Sequence, residues 1–600
     1  MRKSRVIGWM DAIGNTWLGW LREGLLFRGL TILAKEATDR FSHSGVGMLL
    51  KGIADGRDGQ EESLPEGLGR RMRGYFLCTR THTVGGALLL YGGVGILASL
   101  LSGGDRGLLL IPCAAILWGI PLLGERSSLG WCIAESRLLG GALLGYCGIL
   151  REEIVATEHG KGHYGGAILF GGIGGICFRL FPWLIPVAIL LFCVYLLFRR
   201  LPELLLLSIG VGIPFLDPTG HATLWLTAGA LGLGVLWWKK LSRRRRFYNV
   251  GMTDPLLLLL VLTFVLGGAL GEGRESLFCG LTRGGMMLAF FPGVSLLSQS
   301  LWRKRFLDGL QIGGGVCGGI GIAQYFFADP ELRWVDRQMF GDLGGRVCAL
   351  FSNPNLLASY LLLLIPLAVL GVMEEGSRRR RLLHGVALGL ESGCLLLTWC
   401  RGAWLGVMGA VLLLLLIFHR RSAGAFFLGV LPLASLTPWL PGQVRRRFLS
   451  IGRTDSSIRY RYALWEGVRR MRRAHPWGIG VGETAFRNLY PSFAVSGTET
   501  VMHAHRWFGQ IGVEMGWVGV LLLALLLASL GLEVLGGIGG CTERERGRVI
   551  ALVSCILGFL IMGLFDYVWY HYGVFLLFWL LCACLCAIVR EGETGDGRKG

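Results

Sequence analysis

Residues 361–370 read LLLLIPLAVL and residues 411–418 read VLLLLLIF, and how these two runs are read decides the fold. Each is apolar on every helical face and is bounded by charge: EEGSRRRR follows the first at 374–381, and HRR follows the second at 419–421. A helix apolar all round is buried in a large core or in a bilayer, and about 20 such residues are needed to cross a membrane. Similar runs recur from about residue 83 to residue 589. The 600-residue chain is 52% hydrophobic, with 30 Phe, 20 Trp and a mean hydropathy of +0.54, which excludes an ordinary soluble globular protein. The expectation is an all-α polytopic membrane protein with roughly 12–16 transmembrane helices and one large extracytoplasmic loop carrying short amphipathic helices.

Six regions follow from the pattern. Residues 1–80 begin MRKSRVIGWMDAIGNTWLGW, too interrupted for a cleavable signal, and read as amphipathic segments lying on the cytoplasmic leaflet. Residues 81–338 are a variable set of transmembrane helices, with spans expected at 182–198 and 201–216 among others. Residues 339–440 form a transmembrane core that includes a span at 423–440. An arginine-rich extracytoplasmic loop fills 441–514, helices return at 515–590, and 591–600 is a cytoplasmic tail. Lys and Arg in KKLSRRRR, WRKR, EEGSRRRR, HRR and TERERGR fall on one side of these spans, which is then the cytoplasmic side. The formal charge of +20 favours anionic lipid; a nucleic-acid partner is not expected. None of the 16 cysteines forms a C-x-x-C pair, so no disulfide framework or metal site is expected.

The 441–514 loop goes against the charge rule. Apart from histidine, every basic residue in it is arginine. Long loops are exported whatever their charge, so the topology stands. The choice of arginine needs a second reason: its planar fork binds phosphate bidentately and stays charged. Within the loop, DSSIRYRYALWEGVRRMRRAHP reads as a helix capped at Asp455 or Ser456 and stopped by Pro476. Tyr460, Leu464, Val468 and Met471 share one face, and Arg459, Arg470 and Arg473 another.

HAHRWFGQIGVEMG follows at 503–516. If the chain is helical from about 504, His505, Gly509, Gly512, Gly516 and Gly519 share one stripe, open to a neighbouring backbone or a lipid chain. His503 and Glu514 then point away. A neutral imidazole at 505 could take a proton from a hydroxyl. As a metal pair, HAH is poorly spaced, because residues two apart on a helix splay. GIGVGETAF at 478–486 contains a G-x-G-x-x-A pattern but lacks a preceding strand, so it reads as a turn that returns the loop.

The motifs FSNPNLLASYLLLLIPLA, CRGAWLG, DSSIRYRYALWEGVRRMRRAHPWGIGVGETAFRNLYP and HAHRWFGQIGVEMGWVG, in this order, resemble the successive signatures of the O-antigen ligase/polymerase family of bacterial membrane glycosyltransferases. GLFDYVWYHYGVFLLFWLL is similar to that family's final helices. The resemblance runs from about 340 to 590. It implies transfer of a glycan from undecaprenyl pyrophosphate to an acceptor hydroxyl at the outer face of the cytoplasmic membrane, with no cofactor and no metal. By position it places the base at His505 and pyrophosphate-binding arginines at Arg401 and Arg461, with Arg459 and Arg506 as further contacts. The chain departs from the family in having Cys400 before Arg401, Arg506 in place of a small polar residue, and Gly509 in place of leucine. The partners implied are an undecaprenyl-pyrophosphate-linked glycan, membrane lipid, and an acceptor glycan, lipid or protein. The competing readings are an exporter or flippase of the same amphiphiles, and an inactive relative acting as a scaffold. An exporter needs charges along the membrane interior, whereas here they gather in the exported loop.

Overall fold

The computed structural model describes residues 75–101, 110–155, 161–180, 201–242, 248–328, 345–418 and 456–596, short of a few positions within those ranges. The expected amphipathic segments before residue 75 and the spans at 182–198 and 423–440 lie outside them. Among the described residues the regular structure is helical, and β pairing is limited to two isolated bridges. Among the described residues, seven helices are long and apolar enough to cross a membrane, and five shorter apolar helices accompany them. This is the all-α, multi-pass architecture expected from the apolar runs.

The chain forms two compact units. The smaller, residues 52–204, holds α1 (Thr81–Leu101), α2 (Leu110–Leu122) and α3 (Tyr164–Leu180). Gly85 and Gly119 allow α1 and α2 to touch, since a Cβ on either would lie within 3 Å of the other helix's carbonyl oxygen.

The larger unit carries the motifs. Its helices are α4 (Pro202–Leu216), α5 (Ala222–Ser242), α6 (Thr253–Leu270), α7 (Gly273–Met287), α8 (Phe290–Leu297), α9 (Ser300–Phe327), α10 (Pro354–Met373), α11 (Arg378–Leu397) and α12 (Arg401–Phe418). They continue with α13 (Ser456–Ala474), α14 (Glu483–Leu489), α15 (Trp507–Glu514), α16 (Gly516–Gly537), α17 (Glu543–Gly563) and α18 (Tyr572–Asp596). The last helix is the axis of the unit: 94% of its apolar window is buried. α8, α16 and α17 pack around it, and α17 in turn packs on α10 and α12.

Polar groups collect at the two ends of this bundle. At one end Arg590 of α18 is buried and donates to Asp254 of α6 and Glu533 of α16. Nearby at that end, the WRKR cluster, expected on a cytoplasmic loop, lies inside α9. Its Arg303 is fully buried and paired with Glu545 and Glu591, which relieves the cost of an unpaired guanidinium. At the other end, Asp217 accepts from Ser352 N and pairs with His571, Val347 bonds Leu397, and the 564–571 turn meets residues 503–505. That second end holds the predicted site.

Candidate functional site

The site is assembled from four helix termini. α10 begins where SNPN dictates: the Asn353 side chain caps Asn355 N, and Pro354 occupies the first turn, where its missing N–H costs nothing. This start fixes Asn355 at the helix end. α12 begins at Arg401, directly after Trp399, whose φ is +52°, and the buried Cys400. α17 ends at Gly563 and leads into Asp566. α13 lies over the fourth terminus, that of α15. Its Leu464, Val468 and Met471 bury against Phe486, Tyr490, Val501 and Ala504, on the face expected from the periodicity.

His505 is not on a helix. α15 starts at Trp507, with Arg506 at its N-cap position, and His505 has φ +43°, a left-handed conformation that side chains other than glycine rarely adopt. Two bonds to Ala504 hold it there. The Trp465 indole donates to Ala504 O at 3.2 Å, and Ala504 N donates to Gln510 Oε1 at 2.8 Å. Gln510 donates in turn to Glu514, which Arg283 of α7 pairs at 3.0 Å in the buried interior. Glu514 therefore anchors the histidine loop from below.

The turn aims His505 Nδ1 at Asp566 Oδ1, 2.9 Å away, with the histidine 28% exposed and the aspartate 7%. Asp566 Oδ2 accepts from Asn355 Nδ2 at 2.7 Å, Asn355 Oδ1 accepts from Arg346, and Arg346 Nε donates to Thr398 O at 2.8 Å. Burial pushes the Asp566 carboxyl up. The hydrogen bond and charge of His505, with the charges of Arg461 and His503, outweigh it and hold the group well below the usual carboxylate range. An ionised Asp566 only accepts, so Nδ1 of His505 donates to it, and in the neutral form of the ring the lone pair falls on Nε2. That is the tautomer a general base needs.

The helical geometry expected for 503–519 is thus corrected in three respects. First, His503 does not point away: its ring lies 4.2 Å from that of His505 and stacks on Tyr570. Second, the glycine stripe is not an open channel. A Cβ at Gly512 would meet Arg472, one at Gly516 (φ +63°) would meet Pro476 and Trp477 backbone, and Gly519 faces Met515. The glycines seat α13 and the 476–478 turn. Third, the splaying argument against HAH as ligands fails once the chain leaves the helix. One donor atom each from His503, His505 and Asp566 lies within 4.8 Å of the others, a set that could hold a metal ion. GIGVG likewise does more than turn. Ile479 N and Gly480 N bond Val513 O and Glu514 O, and Gly480 (φ +104°) lies so close to Gly271 that a Cβ would meet its Cα at 2.5 Å.

The arginines separate into two groups. Arg461 is half-buried on α13 and within electrostatic reach of Asp566 and His503. Arg401 heads α12, next to Cys400, which feels the charges of Asp566 and Arg461. Arg459 is exposed on α13, and Arg506 turns outward, with its guanidinium 5.1 Å from the Trp465 ring centre. Asp566, Asn355 and Arg346 were absent from the expected site, although Asn355 and Asp566 sit in the quoted motifs FSNPNLLASY and GLFDYVWY. A base histidine needs an orienting acceptor, and that requirement was the available signal.

A family model described as O-antigen ligase matches residues 384–524. No curated protein matches the chain. That family implies ligase- or polymerase-type activity in surface polysaccharide synthesis and lipid-linked glycan substrates. The matched stretch runs from α11 to α16 and includes Arg401, Arg461 and His505, so this part of the multi-pass helical bundle is similar to an O-antigen ligase domain.

Proposed function

We propose that this protein is an inverting glycosyltransferase that moves a glycan from undecaprenyl pyrophosphate to an acceptor hydroxyl at the outer face of the bacterial cytoplasmic membrane. The observation that carries this reading is the His505–Asp566 pair, with the charge of Arg461 acting on Asp566. The acceptor O–H gives its proton to Nε2 while its oxygen attacks the anomeric carbon. The bond from that carbon to the pyrophosphate oxygen breaks on the opposite face, and undecaprenyl pyrophosphate leaves with the electron pair. Arg401 and Arg461 balance the charge that develops on the leaving pyrophosphate, and Arg459 and Arg506 are further contacts to it. The proton on the imidazolium then passes to solvent.

This reading calls on no metal: His505 Nδ1 donates to Asp566 and Nε2 takes the hydroxyl proton. The nearness of the His503, His505 and Asp566 donor atoms supports a second reading, in which a divalent cation activates the hydroxyl. One experiment separates them. The full-length protein in detergent is supplied with lipid-linked glycan and an envelope extract from its host, and release of undecaprenyl pyrophosphate is followed with EDTA and after zinc or magnesium is restored. Release that survives EDTA and is lost in His505→Ala supports the base. Release that stops with EDTA and returns with the ion supports the metal. Equal release by wild type and His505→Ala overturns both.

A further inference from the structure

On the outward side of α13 the structure holds a second feature, of which the reaction above uses only Arg506. A cleft of about 800 Å³ lies between α13 and the start of α15 and α16. Four arginines line it, Arg469, Arg472, Arg473 and Arg506, together with Trp465 and Trp517, and no carboxylate is among its lining residues. The guanidinium of Arg472 lies 4.7 Å from the Trp517 ring centre, and that of Arg506 lies 5.1 Å from Trp465. Glu466 pairs with Arg469 and with Arg470 on the rim. Burial and the charge of Arg506 both disfavour the Arg472 guanidinium, so the two cations are set against each other. A pocket that gathers like charges over aromatic rings is electrostatically unfavourable until an anion enters it.

The chemistry of the lining selects the anion. Guanidinium forks take phosphate or carboxylate bidentately, and each indole offers a flat apolar face to a second group. The volume exceeds what a phosphate alone would fill and suits a short oligosaccharide. The cleft wall is joined to the base along the chain: Arg506 is the next residue after His505, and Trp465 bonds the Ala504 carbonyl before it.

We propose that this cleft binds the acceptor, and that the acceptor is an anionic glycan whose phosphate or carboxylate groups sit at Arg472 and Arg473 while its sugar faces lie on Trp465 and Trp517. The acceptor role rests on the transfer reading given above; the binding site does not. An acidic sugar held here presents a neighbouring hydroxyl toward His505, so charge on the acceptor sets KM for that substrate.

The test uses the full-length protein in detergent, with tryptophan fluorescence as the readout and phosphorylated mannopentaose and its dephosphorylated form as probes. The phosphorylated probe is expected to bind at least tenfold more tightly. Arg472→Gln/Arg473→Gln should remove the difference, and His505→Ala should keep it. Arg473→Glu, a change on an exposed side chain, is the second variant and should weaken only the charged probe, with the melting temperature unchanged. Equal binding of the two probes, or a preference that survives both arginine variants, overturns the proposal. A failure of the charged probe combined with an arginine-dependent response to phosphatidylglycerol nanodiscs, absent with phosphatidylcholine, also overturns it and assigns the cleft to a lipid headgroup. Loss of glycan release in His505→Ala with probe binding intact distinguishes the catalytic reading from this one.

Discussion

His505 occupies a left-handed backbone conformation that costs free energy, and the Trp465–Ala504–Gln510 clamp holds it there. Strain of this kind is retained where a side chain has to be aimed, and here it is aimed at Asp566. Replacing His505 with alanine is expected to lower undecaprenyl pyrophosphate release by about 10²–10⁴-fold, the usual contribution of a general base. Asp566→Asn should fall in the same range with little change in KM, because it disturbs the tautomer and leaves binding alone; a drop confined to KM would argue against the orienting role. His503 supplies a different test. Burial, then the charge of His505, push its ring down to about 3, although Asp566 opposes the shift. An unfolded histidine titrates near 6.5. Between those values the unfolded chain binds the extra proton, so the contribution to stability is complete above about pH 6.5 and declines as pH falls toward 3. His503→Phe, which can still stack on Tyr570, should flatten the fall in melting temperature between pH 7 and pH 5. An unchanged slope would place the acid sensitivity elsewhere. At this scale the sequence was half legible. His505, Arg401 and Arg461 could be named because the motifs fix them by position. Asp566 lies 61 residues away, and local pattern does not report which distant carboxylate a histidine will meet.

Element by element, periodicity worked wherever a helix is long or has a marked stop. α13 begins within a residue of the expected cap, ends before Pro476 and buries the expected face. It failed across 503–516, because glycines every three or four residues read as one continuous helix face, whereas Gly516 at φ +63° breaks the chain into two helices. The packing of α12 on α17 shows what such glycines do elsewhere. A Cβ at Gly406 would lie 2.6 Å from Gly558 O, and one at Gly558 2.8 Å from Gly406 O, both backbone atoms with no freedom to yield. Gly558→Leu should therefore destabilise the protein by about 1–3 kcal/mol. It should also lower activity, since α12 begins at Arg401 and α17 leads into Asp566. Gly389→Ala, where the added methyl meets open space, is the matched control and should change neither. A stable, active Gly558→Leu protein would mean that the helix pair does not set the spacing of the site.

Across the larger unit as a whole, the fold class was legible from composition, since apolar runs of this length have few other solutions. The polar ties between helices were not. Arg590 appears in sequence as one more basic residue after the last apolar run, a solvated flank by the usual rule. The structure instead buries it against Asp254 and Glu533, with Tyr248 and Asn249 O as further partners. The three charges join α6, α16 and α18, and Glu533 also accepts from Thr253 N while Asp254 accepts from Gly251 N. Removing only the cation leaves two buried carboxylates close together, which costs about 3–5 kcal/mol. Arg590→Leu is expected to lower the melting temperature in detergent, and Arg590→Leu/Asp254→Asn/Glu533→Gln should recover much of the loss, because a fully neutral cluster has no unpaired charge. The network lies at the opposite end of the bundle from His505. The fraction of Arg590→Leu protein that remains folded at low temperature should therefore release undecaprenyl pyrophosphate at the wild-type rate. A fall in rate without a fall in stability would show instead that the two ends of the bundle are coupled through α18.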